Sequence, residues 1–245
     1  MMSWGCGAHL GDALFTLSYL LKCAGHHTLY VKEEFVRELR YLVPDTDVQV
    51  ESTLGLPANA EDTWMANGKH EAQHDVYFRN QEDIVGFVHT YFNCFGKAWA
   101  EREDMLFSFP WLKPQAHRDL VLIINAQPMS GQCPGYSQEE LNKLATDLTM
   151  DGQRVVRVCG EEGQHNFSLL QIACLSSQAK LIIGGASGPF FATMNTAAKD
   201  CHRIVLLDPM RLDYGPNVGP IYNARNCTEA RQILRDQNYF RYLQG

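Results

Sequence analysis

Apolar residues recur along the chain in two alternating periods, and the alternation predicts strands and helices in turn. Residues 1–4 read as a short strand. From Asp12 the positions Leu14, Phe15, Leu17, Leu20 and Leu21 repeat at helical spacing until Gly25 stops them. Residues 27–31 read as a strand. Phe35, Leu39, Leu42 and Val43 mark a helix that ends before Pro44, because the residue preceding a proline is pushed out of the helical region. A short strand is expected over 48–50, irregular chain over 54–69, a strand over 76–78 and a helix over 84–95. The stretch 96–118, with Pro110, Trp111 and Pro114, reads as an interdomain connection.

The second half repeats the alternation more cleanly. Residues 120–125 form a β-branched apolar run, followed by a polar loop with Pro128, Gly131, Pro134 and Gly135. Ser137-Gln-Glu-Glu140 fits a capping box that opens a helix with Leu141, Leu144 and Leu148 on its apolar side. Strands are expected over 155–158, 181–183 and 204–207, and a short helix over 167–175. A further helix starts at Pro189, which suits a first turn, and a terminal helix spans 228–242. Strands alternating with helices imply parallel sheets wound on both faces. The expected fold is α/β, two Rossmann-like parallel-sheet domains over residues 1–110 and 111–245 that face each other across a cleft. The terminal helix is free to cross back onto the first domain.

Composition narrows the function. A formal net charge of -7, with no long run of like charges, argues against a general electrostatic grip on nucleic acid or anionic lipid. No apolar run approaches the roughly 20 residues that span a bilayer, and the start of the chain carries no basic-then-apolar leader. Eight cysteines are scattered without close pairs, which reads as a reduced, cytoplasmic protein rather than a disulfide framework.

Two glycine-bearing turns carry the candidate chemistry: Gly5-Cys-Gly-Ala-His-Leu-Gly-Asp12 and Gly184-Gly-Ala-Ser-Gly-Pro189. Each follows an apolar run and opens a helix, where free backbone N–H groups and the helix dipole favour an anion. In the first, glycines allow close ligand approach while His9 and Asp12 project into the cleft. Asp12 is equally an ordinary first-turn acid that stabilises its helix by roughly 0.3–1 kcal/mol. As a dinucleotide fingerprint this turn has one residue too many. In the second, Ser187 and Gly188 offer a hydroxyl and N–H groups to a phosphate; a tight turn without ligand is the alternative. Gly160-Glu161-Glu162-Gly163 closes the neighbouring strand, and one glutamate either accepts bonds from ribose hydroxyls or is a solvated loop acid.

Taken in order, these segments resemble glycosyltransferase family nine, the ADP-heptose–lipopolysaccharide heptosyltransferase type, which has the GT-B fold. The likeness rests on Gly11-Asp12-Ala-Leu-Phe with its helix, the strand over 121–125 with its loop and following helix, residues 155–160, and Leu181-Ile-Ile-Gly-Gly-Ala-Ser-Gly-Pro189. The resemblance implies an inverting, metal-independent glycosyltransferase of hexosyl or heptosyl type. It would take a nucleotide sugar as co-substrate, require no further cofactor, and use Asp12 as general base beside His9. Donor contacts would come from Gly11, Ser130, Gln132, Gly160, Glu161, Glu162, Ala186, Ser187 and Gly188. The acceptor hydroxyl would belong to a soluble saccharide, a protein or a modified nucleobase in DNA. The family usually places an acid before the Ser/Thr-Gly pair, a histidine shortly after it and a lysine in the earlier loop. Here those places hold Ala186, Phe191 and Ser130-Gly-Gln132.

Three other readings compete. The substitutions favour a non-catalytic GT-B-like nucleotide- or sugar-binding module, and a sugar-nucleotide epimerase would share the fold. His70-Glu-Ala-Gln-His74 matches the HExxH zinc-peptidase pattern, which needs both histidines on one helix face. Gly68 and the strand expected directly after His74 leave no room for that helix, so no metal site is expected.

Overall fold

The computed structural model describes residues 2–6, 10–21, 25–44, 46–55, 63–66, 107–109, 111–124, 136–158, 167–185, 187–206 and 221–237; for 2–6, 12, 15, 19, 63–66 and 221 it describes the backbone alone. The first unit holds β1 (Met2–Cys6), α1 (Leu10–Leu20), β2 (His27–Val31), α2 (Glu33–Leu42), β3 (Val48–Ser52) and β4 (Thr63–Ala66). The second holds β5 (Leu120–Ile124), α3 (Gln138–Met150), β6 (Arg154–Val158), α4 (Leu169–Gln178), β7 (Ala179–Gly185), α5 (Gly188–Phe191), β8 (His202–Leu206), β9 (Ile221–Ala224) and α6 (Cys227–Asp236). The strands form a four-stranded sheet of order β3-β2-β1-β4 and a five-stranded sheet of order β6-β5-β7-β8-β9. Every pairing is parallel. The mixed α/β architecture with two parallel sheets is the one expected.

Alternation along the strands sets the layers of the second sheet. Leu122, Ile124, Ile182 and Val205 pack on one face with α4, α5 and the helices of the first unit. Val121, Ile123, Leu181, Ile183, Ile204 and Leu206 pack on the other with α3 and α6. Strands buried on both faces read as continuous apolar runs, as Leu120–Ile124 does. The first of these clusters is shared: Leu14, Leu17 and Leu20 of α1 and Val36, Leu39 and Leu42 of α2 join it. Across the seam, the Glu38 carboxylate accepts the Leu169 N–H at 2.9 Å, satisfying an orphan donor at the start of α4 from a helix of the other unit.

Local chemistry explains the helix ends. The Ser137 capping box is present: Ser137 Oγ accepts from Glu140 N–H, and Glu140 Oε2 accepts from Ser137 N–H. A second box, Ser168 with Gln171, opens α4. At the far end of α3, Gly152 (φ 78°) takes the left-handed conformation, with Gln153 N–H bonded to Leu148 O and Gly152 N–H to Thr149 O. That is a Schellman stop.

Several expectations are corrected. Residues 54–69 are not irregular throughout, since Thr63–Ala66 forms β4 alongside β1; four residues at a sheet edge are too few to show a period. β9 is likewise a short edge strand, placed directly after loop punctuation. Within 96–118 the described aromatic residues pack against the core, whereas residues 113–117 are exposed. Phe107 and Phe109 are buried, Phe109 stacks on Trp111, and the Trp111 indole N–H donates to Leu42 O at 3.2 Å. The strand and helix expected over 76–95 lie outside the described residues, as does the end of the terminal helix.

The helix expected after Pro189 is a single turn. Thr193 Oγ1 takes the Phe190 carbonyl at 2.7 Å and the Asn195 amide takes Ala192 O at 3.1 Å, competing with the bonds that would extend it. The return to β8 then holds one 3-10 turn, Thr196–Ala198, capped by Asn195, and its buried carbonyls are met by a fully buried arginine. Arg203 donates to Thr193 O at 2.9 Å, Ala198 O at 2.8 Å and Cys201 O at 2.9 Å, while Arg118 donates to Ala197 O at 3.0 Å. Arg203→Leu leaves Thr193 O and Cys201 O without this donor, while Ala198 O keeps the Cys201 N–H at 3.0 Å. Because an unsatisfied buried acceptor costs about 1–3 kcal/mol, the variant is expected to lose about 2 kcal/mol or more, read as a lower urea midpoint at unchanged slope.

Candidate functional site

In each sheet the strand order reverses at one point. In the first, the chain moves outward from β1 through β2 and β3, then returns to place β4 on the other side of β1. In the second, β6 lies outside β5, and β7, β8 and β9 continue on the opposite side. Loops leaving adjacent strands at such a reversal diverge to opposite faces and open a crevice at the carboxyl ends of the strands. The first glycine turn follows β1 and the second follows β7, so each leaves the carboxyl end of a strand at a reversal of strand order.

The helices that the turns open meet each other. A Cβ on Gly11, at the start of α1, would lie 3.1 Å from the Phe191 ring; a Cβ on Gly188, at the start of α5, would lie 2.7 Å from Leu10 Cγ. The two turns named as candidate donor and acceptor sides are thereby brought to one place. Their glycines, however, have protein rather than open space beside them. Gly184 is held the same way: a Cβ there would lie 2.7 Å from Ile124 Cβ and 2.9 Å from Ile124 O, where β5 and β7 run side by side. At Gly11 and Gly188 the place a side chain would fill is taken by the Phe191 ring and by Leu10.

Among the candidate residues, the backbone of Asp12 lies in the first turn of α1. Ser187 is buried and caps α5, its Oγ accepting the Phe190 N–H at 3.4 Å. His9, Ser130, Gln132, Gly160, Glu161, Glu162 and Ala186 lie outside the described residues, and so do His70, Glu71 and His74. Among the described residues no group of three or more His, Cys, Asp and Glu side chains gathers as a metal site. Burial pushes the Cys201 and Cys227 thiols up to about 11, so neither is a thiolate at neutral pH, and neither is a nucleophile. Among the described residues no helix is long and apolar enough to cross a membrane.

Sequence reasoning missed the support beneath the second turn. Asn195 donates to Ser176 Oγ at 2.9 Å and accepts from Ala198 N–H at 3.1 Å, and residue 195 also bridges to Phe107. Burial holds the Arg203 guanidinium below its ordinary pKa; the neighbouring Arg118 charge adds to that shift and the Asp200 carboxylate opposes it. An arginine inside the apolar run His-Arg-Ile-Val-Leu was the available signal.

The sequence matches no family model and no curated protein. Solved structures do match in three dimensions. The E. coli heptosyltransferase WaaC with ADP aligns over 96% of this chain and 99% of its own at 13% identity, TM-score 0.60. E. coli ADP-heptose lps heptosyltransferase II aligns over 100% and 99% at 12% identity, TM-score 0.58. A family 9 glycosyl transferase from Veillonella parvula aligns over 97% and 89% at 12% identity, TM-score 0.55. The chain shares the Rossmann-like fold of these glycosyltransferases across nearly its whole length.

Gly184→Ala tests the packing role of the second turn. Crowding a methyl against Ile124 backbone forces β5 and β7 apart, and the expected cost is about 1–3 kcal/mol in chemical denaturation. Unchanged stability would return Gly184 to the ligand-approach reading.

Proposed function

We propose that this chain is an inverting glycosyltransferase that moves a sugar from a nucleotide-sugar donor to an acceptor hydroxyl, its two units facing across a GT-B-like cleft. The observation that carries the proposal is the meeting of the two glycine turns, each beside a reversal of strand order, in a fold shared with heptosyltransferases. Because one of the structures sharing the fold contains ADP and another ADP-2-deoxy-2-fluoro heptose, an ADP-linked sugar is the first donor to test.

In the proposed reaction Asp12, beside His9, takes the proton of the acceptor hydroxyl as that oxygen attacks the anomeric carbon in line. The bond from that carbon to the diphosphate oxygen breaks, and the electron pair leaves with the nucleoside diphosphate. Backbone N–H groups of Ser187 and Gly188 receive the diphosphate, with Gly11, Ser130, Gln132, Gly160 and Ala186 lining the donor side. Glu161 or Glu162 accepts bonds from the ribose hydroxyls. General-base assistance contributes about 10²–10⁴-fold; positioning and preorganised N–H groups supply the remainder. A second reading is a nucleotide-binding module without turnover. What favours it is the apolar Phe191 ring against Gly11 and the commitment of the Ser187 hydroxyl to capping.

Titration with a panel of nucleotide sugars, followed by assay for transfer and slow hydrolysis, separates the two. Binding with turnover supports the transferase, and binding alone supports the module. Asp12→Asn is expected to lower transfer by about 10²–10⁴-fold while folding and donor affinity stay close to those of the parent protein; retained turnover removes Asp12 from the mechanism. Exhaustive chelation is expected to leave the rate unchanged, and a rate restored by added divalent cation would replace the metal-independent scheme.

A further inference from the structure

The contact between α1 and α5 is reciprocal. Leu10 of α1 lies over Gly188 of α5, and Phe191 of α5 lies over Gly11 of α1. Each helix start therefore supplies one glycine and one large apolar side chain. Leu10 and Gly11 are consecutive, whereas Gly188 and Phe191 are three apart and share one face of a single turn. A lone knob in a hole fixes a distance and leaves rotation about the contact free. Two such contacts of opposite sense fix both.

We propose that Leu10 and Phe191 are positioning residues, forming with Gly188 and Gly11 a reciprocal interlock that sets the separation and orientation of the two glycine turns. The catalytic consequence rests on the transferase reading above. Asp12 directly follows Gly11 and Ser187 directly precedes Gly188, so the interlock residues adjoin the proposed base and the proposed diphosphate cradle. The tolerance is small. A Cβ on Gly188 would meet Leu10 Cγ, Cδ2 and Cβ at 2.7, 2.8 and 2.9 Å, and one on Gly11 would meet Phe191 Cδ2 and Cε2 at 3.1 and 3.2 Å. One added methyl on Gly11 must push the Phe191 ring aside by a few tenths of an ångström, and one on Gly188 must displace Leu10 as far in as its Cβ. Both partners are stiffly held: Leu14 and Leu17 anchor α1 in the shared core, and Thr193, Asn195 and Arg203 anchor the chain leaving α5. Glycines at both contacts bring the helix backbones closer than a pair of branched side chains would allow. A misplacement of about 1 Å between reacting groups can cost about 10²-fold in rate.

The test is a mismatch-and-rescue series in the full chain: Gly11→Ala, Phe191→Val, and both together, with thermal melting and transfer kinetics measured on each. Gly11→Ala is expected to lower the melting temperature by at least about 3 °C and kcat about tenfold or more. Phe191→Val, which removes both ring atoms that face the new methyl, restores most of each loss when combined with it. By itself Phe191→Val lowers kcat with the donor KM within about twofold, a split that a purely structural role does not produce. Gly188→Ala with Leu10→Ala is the second arm, and its rescue is partial because Leu10 Cβ remains. Additive melting shifts without rescue overturn the interlock whatever the activity. Rescue of melting with kcat unchanged throughout the series overturns the positioning role. Rescue of melting in a protein that transfers no sugar, parent included, keeps the interlock as a spacing device and removes the transferase reading.

Discussion

Everything near the two turns depends on satisfying a largely buried connection whose only regular piece is the 3-10 turn Thr196–Ala198. Loops ordinarily run over the surface because their N–H and C=O groups need water. The segment from Ala192 to Cys201 is largely buried instead, and it is stable because Arg203, Arg118 and Asn195 supply donors from beneath. That support holds the one-turn helix α5 in place, and α5 in turn carries the face that closes on α1. The position of the first turn relative to the second is thus referred to a guanidinium buried in the core.

The shared cluster gives this arrangement its bulk. Apolar faces of α1 and α2 are covered by α5 and α4, with Phe107, Phe109 and Trp111 wedged alongside. Directional contacts add orientation to that mass: the Trp111 indole on Leu42 O, Phe107 paired to the backbone of Met194 and Thr196, and Glu38 on the first N–H of α4. Apolar burial supplies the cohesion, and these bonds select one relative setting of the sheets.

How much of this could be read from residues alone follows from how each feature is encoded. Capping is local, so Ser137 with Glu140 was legible four residues at a time. The continuous apolar runs of β5 and β7 were legible because strands buried on both faces have a long signal. β4 and β9 were not, being short and at sheet edges. The glycine turns were found, but the reason for their glycines was not: Gly188 answers to Leu10 and Gly11 to Phe191, partners 178 and 180 residues apart. Asn195 and Ser176 look like ordinary polar residues until the fold buries them together. At the candidate site, the place of Asp12 and Ser187 at helix starts was legible, while the capping commitment of Ser187 and the support from Arg203 required three dimensions.

The Glu38 contact has a consequence for synthesis. The donor it satisfies, Leu169 N–H, lies 131 residues further along the chain. At about 5–20 residues per second, α2 leaves the ribosome on the order of ten seconds before its partner. During that interval the nascent first sheet leaves uncovered the apolar stripes that α4 and α5 will cover. The first half thus holds its final surface only once the second half has been made and has docked on it.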